Sequence, residues 1–104
     1  MSEILGAFEQ AVLVGVLHLG EEAYGRAILR ETADRLSRDP SAGAIYATLD
    51  RLEAQGLLTS RLDEGPGRAR RYYRVTTRGI AALNDSRDAL QGIWAGLAWP
   101  VRRA

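Results

Sequence analysis

From Leu5 to Leu19 the apolar residues Leu5, Phe8, Val12, Val16 and Leu19 recur at helical spacing, and Leu13 and Leu17 add a second stripe beside them. A surface helix needs one buried stripe, so a second predicts a partner, for which another copy of the chain is the natural candidate. Gly20 suits the end of this helix. Ile28, Leu29, Thr32 and Leu36 predict a second helix from about Tyr24 to Ser37, with Arg26, Arg30, Glu31 and Asp34 on its polar side. Asp39 before Pro40 breaks the pattern, and Ser41 can cap a third helix running from Ala42 to Gln55. Ile45, Leu49 and Leu52 line its inner face, and Gly56 closes it.

The period then changes to two. Leu58, Ser60 and Leu62 alternate with Thr59 and Arg61, a turn-rich stretch follows, and Arg71 to Val75 alternate again, which predicts a hairpin with Gly65, Pro66 and Gly67 at its tip. Tyr72 and Tyr73 are adjacent in a strand and must face opposite ways, one to the core and one outward. Thr76 or Thr77 can cap a fourth helix reaching about Leu97. Its positions Ile80, Leu83, Arg87, Leu90, Trp94 and Leu97 fall in the alternating steps of a coiled-coil seam. Arg87 is the polar exception, expected either at the seam's edge or paired with an acid, because a lone buried charge is costly.

With 104 residues, 46% of them hydrophobic, the chain can bury one core and is too short for two ordinary domains. Residues 1–7 lack the features of a signal peptide and no stretch is apolar enough to span a bilayer, so a cytoplasmic protein with no membrane contact is expected. The absence of cysteine excludes disulfides and thiolate ligands; with one histidine, neither a metal nor another cofactor is expected. His18, near a helix end, reads as a capping or packing residue.

The net charge of +1 conceals an uneven distribution. Residues 1–60 carry five arginines against nine acids, whereas residues 61–78 carry six against two. Every cation is arginine, whose planar fork suits phosphate oxygens and guanine edges. Cations crowded on one hairpin repel one another and favour an anionic partner, although a charged hairpin can also be simply solvated.

The order helix, helix, helix, strand, basic turn, strand, helix defines a mainly α fold with a small β-hairpin (α+β). It is a winged helix-turn-helix domain over residues 1–78 plus a C-terminal dimerisation helix over residues 79–104, packed with the first helix. In such a fold the third helix enters the major groove of double-stranded DNA and the hairpin lies on the flanking backbone. The third-helix candidates are Ser41, Gly43, Ala44, Tyr46, Ala47, Thr48 and Arg51: small side chains for close approach, with Thr48 on the flank and Arg51 offering hydrogen bonds. For Tyr46 two readings stand, a hydroxyl on phosphate or an aromatic ring packed against the second helix. The wing candidates are Arg61, Arg68, Arg70 and Arg71. The expected homodimer interface comprises Leu5, Phe8, Val12, Ile80, Leu83, Arg87, Leu90, Trp94 and Leu97.

The segment Ile45-Tyr46-Ala47-Thr48-Leu49-Asp50-Arg51-Leu52-Glu53-Ala54-Gln55-Gly56-Leu57 resembles the recognition-helix signature of the PadR-type transcriptional regulators. Arg71-Tyr72-Tyr73-Arg74-Val75-Thr76-Thr77-Arg78-Gly79 resembles that family's wing exit, and Ala23-Tyr24-Gly25 the start of its second helix, where histidine often stands in place of Ala23. The similarity covers Phe8 to Leu97 and is to the short subgroup without an added C-terminal domain. It implies a dimeric repressor that binds DNA through its third helix and wing and dimerises through its first and last helices. In that subgroup the dimer interface is the expected place for a ligand, where Trp94 and Trp99 could stack on a small aromatic molecule or merely fill the interface.

No enzyme is expected: no Ser-His-Asp set or metal-ligand spacing can be placed, and the Gly65-Pro66-Gly67 turn leads into a strand, so it cannot offer a helix N-terminus to phosphate. The competing reading is a winged-helix module that binds protein, which would require an exposed apolar patch on the third helix.

Overall fold

The computed structural model describes residues 4–67 and 69–103, so Arg68 of the expected wing set lies outside the described residues. The chain forms α1 (Ala7–Leu19), a short 3-10 turn (Gly20–Glu22), α2 (Gly25–Leu36), α3 (Ala42–Ala54), strands β1 (Leu58–Asp63) and β2 (Arg70–Val75), and α4 (Thr77–Trp94). The strands pair antiparallel, with Leu58 opposite Val75 and Asp63 opposite Arg70.

Side-chain caps set several of these boundaries. At α1 the Glu9 carboxylate accepts from the Gly6 amide at 2.8 Å, so the helix starts two residues later than the apolar pattern predicts and Leu5 lies in the lead-in segment. At α3 the Ser41 hydroxyl accepts from the Ala44 amide at 3.0 Å, satisfying a donor that the first turn leaves free. Thr76 serves α4 in the same way, accepting from the Gly79 amide at 3.0 Å while donating to the Gly56 carbonyl at 2.7 Å. Gly79 sits so close to the Leu57 carbonyl and Val75 that a Cβ there has no room. The end of α3, the root of the hairpin and the start of α4 thus form one tight corner, which fixes the wing relative to α3.

The core gathers Val12, Leu13 and Val16 from α1, Ile28 from α2, and Ile45, Leu49 and Leu52 from α3, closed by Leu58, Tyr73 and Ala82. Burial of each large aliphatic side chain contributes about 1.5–3 kcal/mol. Tyr73 is the inward member of the tyrosine pair, at 6% exposure. Its amide donates to the Ala23 carbonyl at 2.8 Å, and Tyr24 bridges to Tyr72, so the start of α2 lies along β2 like a third strand.

The structure corrects the expected interface at three positions. Leu5 and Val12 are buried within their own chain, at 4% and 0% exposure. Leu13 of the second α1 stripe joins the first stripe in this core, because α2 covers one side of the helix while α3, α4 and β2 cover others, whereas Leu17 stays 46% exposed. Leu97 is not on the seam, since α4 ends at Trp94 and Gly96 turns the chain with φ +83, a backbone state suited to glycine. Phe8 and Leu83 are half-buried against the core, and Ile80, Arg87, Leu90 and Trp94 are exposed.

The outer half of α4 projects from the body. The radius of gyration is 15.7 Å and the long dimension 61 Å, whereas a compact chain of this length has a radius of roughly 13 Å.

Candidate nucleic-acid interface

The solvent side of α3 carries Ser41, Ala42, Gly43, Ala44, Ala47 and Asp50, all exposed. Small side chains dominate its first two turns, so a groove wall could approach the helix backbone closely. Of the two readings left open for Tyr46, the structure shows the packed ring: the residue is 47% exposed, yet its ring lies on α2 so closely that a Cβ at Gly25 would collide with it. Glycine at position 25 is therefore what lets Tyr46 lie across the α2–α3 junction.

Thr48 does not belong to this surface. It is 4% exposed, three residues after Ile45 and four before Leu52, a spacing that puts it in the inner stripe rather than on the flank. Arg51 is exposed but not free: its guanidinium donates to the Glu9 carboxylate of α1 at 3.1 Å, away from the centre of the α3 face. Asp50, absent from the expected set, lies on the exposed side and can accept a hydrogen bond from a base edge while repelling phosphate.

The wing arginines divide between the two faces of the hairpin. Arg61 stands opposite Tyr72 in the ladder, with its guanidinium 5.0 Å from that ring's centre. Arg70 lies 4.2 Å from the centre of the Tyr24 ring, and Tyr24 meets Tyr72 edge to face with centroids 5.8 Å apart. The sequence Arg70, Tyr24, Tyr72, Arg61 is thus one continuous cation and aromatic stack joining the hairpin to the start of α2. Arg71 points to the other face, where it donates to the Ser60 hydroxyl at 3.1 Å, and Ser60 in turn donates to Glu53 at 2.7 Å. The Arg70 guanidinium is held above its already high ordinary pKa, first by the Tyr72 hydroxyl and then by Tyr24, and is a permanent cation.

Between the start of α2, α3 and β2 lies a hollow of about 260 Å³, lined by Arg26, Arg70 and Arg71 together with Tyr24 and Tyr46. The sequence reading placed Arg26 only on the polar side of its helix; its position one residue after the Ala23-Tyr24-Gly25 motif was the available signal. At the opposite end of the molecule Trp94 and Trp99 pack edge to face at 5.4 Å, at 40% and 78% exposure.

A helix with a small-residue outer face, seated on a three-helix core and flanked by an arginine-bearing hairpin, is the architecture of winged helix-turn-helix regulators. The sequence model described as the transcriptional regulator PadR-like family matches residues 13–85, and the chain belongs to that family, whose members are regulators and not enzymes. It is 45% identical over 83 residues to the transcriptional regulator Rv3488 of Mycobacterium tuberculosis, covering 78% of this chain and 77% of that one. A PadR family regulator from Eggerthella lenta superposes with a TM-score of 0.68 at 34% identity, over 82% of this chain and 75% of its own. BpsR of Bordetella bronchiseptica, described as regulated in DNA binding by 6-hydroxynicotinic acid, shares the fold with a TM-score of 0.63 at 20% identity, over 91% of this chain and 69% of its own. Among the described residues no helix is long and apolar enough to cross a membrane.

Proposed function

We propose that this chain is a cytoplasmic, sequence-specific DNA-binding repressor that acts as a homodimer on a pseudo-palindromic operator. The observation that carries the reading is the adjacency of the exposed small-residue face of α3 to a hollow lined by Arg26, Arg70 and Arg71. The first offers contact to base edges and the second to the backbone, the division of labour that specific binding requires. A protein-binding winged helix would need an apolar patch on α3. Among the described residues Tyr46 is the one exposed large apolar side chain on α3; most of the others lie on α4 and the tail, at Ile80, Leu90, Ile93, Trp94, Leu97, Trp99 and Val101, with Ile4, Leu17 and Leu62 elsewhere.

That second set supports the dimer. A projecting helix with Leu90 and Ile93 at 50% and 71% exposure has an unfilled apolar face that a second copy's α4 can cover. Two-fold pairing presents two α3 helices to half-sites about 34 Å apart, or a multiple of that distance. Trp94 and Trp99 fall in the same region, so an aromatic ligand bound there would act on the pairing of the two heads; quenching of tryptophan fluorescence by such a compound, lost in Trp94→Ala, is the corresponding measurement.

The test is selection from a random duplex library at two salt concentrations, with an Arg68/Arg70 double glutamine variant alongside. Enrichment of an inverted repeat by the native chain, lost in the variant, is the expected result. A folded dimer that retains no DNA at either salt would overturn the reading, and a reporter gene whose output rises with the protein would overturn repression.

A further inference from the structure

We propose that the hollow at the start of α2 is a preorganised seat for one DNA backbone phosphate, formed by Arg26, Arg70 and Arg71, and that Tyr24 is the residue that positions Arg70 in it. The inference rests on the DNA-binding reading and adds to it which phosphate contact sets the register, and how.

The electrostatics are one-sided. Arg26, Arg70 and Arg71 reach the hollow from α2 and β2, and among the described residues that line it there is no carboxylate. Cationic residues that line one small space repel one another, and an anion placed among them relieves that repulsion. The hollow's phenolic wall, Tyr46, rests on Gly25 and adds a hydroxyl that a phosphate oxygen can use. The volume of about 260 Å³ accommodates a phosphodiester group.

Two of the cations are also held in place before any ligand arrives. A free arginine on a hairpin loses rotamer freedom when it binds, at a cost in affinity. Here Arg70 already lies over the Tyr24 ring at 4.2 Å, and Arg71 is already tied to Ser60 at 3.1 Å. Tyr24 is itself fixed, by its bridge to Tyr72 and the edge-to-face contact of the two rings. The stack therefore does more than brace the wing: it delivers one guanidinium to a defined point beside α2.

Positioning and direct contact leave different signatures in the salt dependence of binding. Removing a phosphate contact lowers the slope of log K against log salt by about 0.9. Removing a residue that only orders the arginine weakens binding and leaves the charge, and so the slope, unchanged. The experiment uses the full chain and a short duplex of fixed sequence, with anisotropy titrations over a potassium chloride series. Arg70→Gln and Arg26→Gln should each weaken binding and lower the slope by about 0.9. Tyr24→Phe should match the native chain, because it keeps the ring, whereas Tyr24→Leu should bind about three- to tenfold more weakly with an unaltered slope. The Tyr24→Leu/Arg70→Gln pair should be no worse than Arg70→Gln alone, since an absent arginine cannot be mispositioned.

Additive losses in that pair would show that Tyr24 acts elsewhere and would overturn the positioning role. Unaltered slopes in Arg70→Gln and Arg26→Gln would overturn the seat, and these two variants carry the test should Tyr24→Leu fail to fold by thermal melting. A native chain that binds no duplex at low salt would remove the DNA-binding reading itself; a native chain that binds while both arginine variants match it removes only the seat.

Discussion

The Leu5 amide donates to the buried Ser86 hydroxyl at 2.9 Å, across almost the whole length of the chain. The Ser86 hydroxyl itself donates a hydrogen bond to the Ala82 carbonyl at 2.7 Å, so one hydroxyl, 1% exposed, satisfies the lead-in to α1 while remaining bonded within α4. Ser86→Ala would leave a buried amide without its acceptor, which costs about 1–3 kcal/mol. Urea unfolding should show a loss in that range with an unchanged m-value. A loss below a few tenths of a kcal/mol would mean that water replaces the hydroxyl.

The same contact bears on the proposed dimer, because it fastens Leu5 inside its own chain, while the outer half of α4 keeps Leu90 and Ile93 exposed. Leu90→Asp should therefore abolish dimers in sedimentation experiments while changing the stability of the monomeric body by less than about 0.5 kcal/mol, as expected of an exposed site. Val12→Ala should do the reverse, lowering stability by about 1–3 kcal/mol through lost burial and a cavity, in a chain that still pairs. Dimers that survive Leu90→Asp and vanish in a folded Val12→Ala would place the interface on α1 instead.

Period and punctuation made most of the fold legible in the sequence. Ser41, Gly56 and Thr76 mark boundaries because capping is a local hydrogen-bonding requirement that a few adjacent residues express. The second stripe of α1 was harder to interpret: a central helix wrapped by its own chain and a helix shared between two copies show the same apolar pattern, and only the tertiary packing of Val12 and Leu13 distinguishes them. The end of α4 depended on Gly96, which a heptad count does not weigh. In the candidate site the arginines were evident as a cluster, but their division between Tyr24, Tyr72 and Ser60 depends on strand facing and on a bridge between distant segments. Thr48 is the instructive error. Its polar type suggested a surface role, whereas its spacing from Ile45 and Leu52 already placed it inside.

Arg51 offers a test of how α1 limits the interface. Its pairing with Glu9 at 3.1 Å joins two partly exposed side chains, at 47% and 24%, and such pairs contribute between nothing and about 1 kcal/mol to stability. Glu9→Gln should therefore leave the melting temperature nearly unchanged yet release a cation beside α3. Binding to non-specific duplex should strengthen severalfold at low salt and the salt slope should steepen, whereas Glu9→Gln/Arg51→Gln should show neither change. A steeper slope in the double variant as well would mean that Glu9 acts by its own repulsion of phosphate rather than by holding Arg51.

Tyr73 gives the fold a dependence on alkaline pH. Burial first, and the nearby Asp50 carboxylate second, raise its phenol above the ordinary value of 10.0, because both disfavour a phenolate in the core. The folded chain thus holds this proton more tightly than the unfolded chain does. Its contribution to stability is complete below the unfolded value and is lost as pH rises from there through the higher folded value, since the unfolded chain gives up the proton first. Urea midpoints measured from about pH 9 to pH 11 should fall across that window, and Tyr73→Phe, which has no proton to lose, should show a shallower fall. Asp50→Asn should bring the effect part of the way toward Tyr73→Phe by removing the second cause while leaving burial in place. Equal alkaline losses in the native chain and Tyr73→Phe would assign the transition to other groups and leave Tyr73 as a packing residue alone.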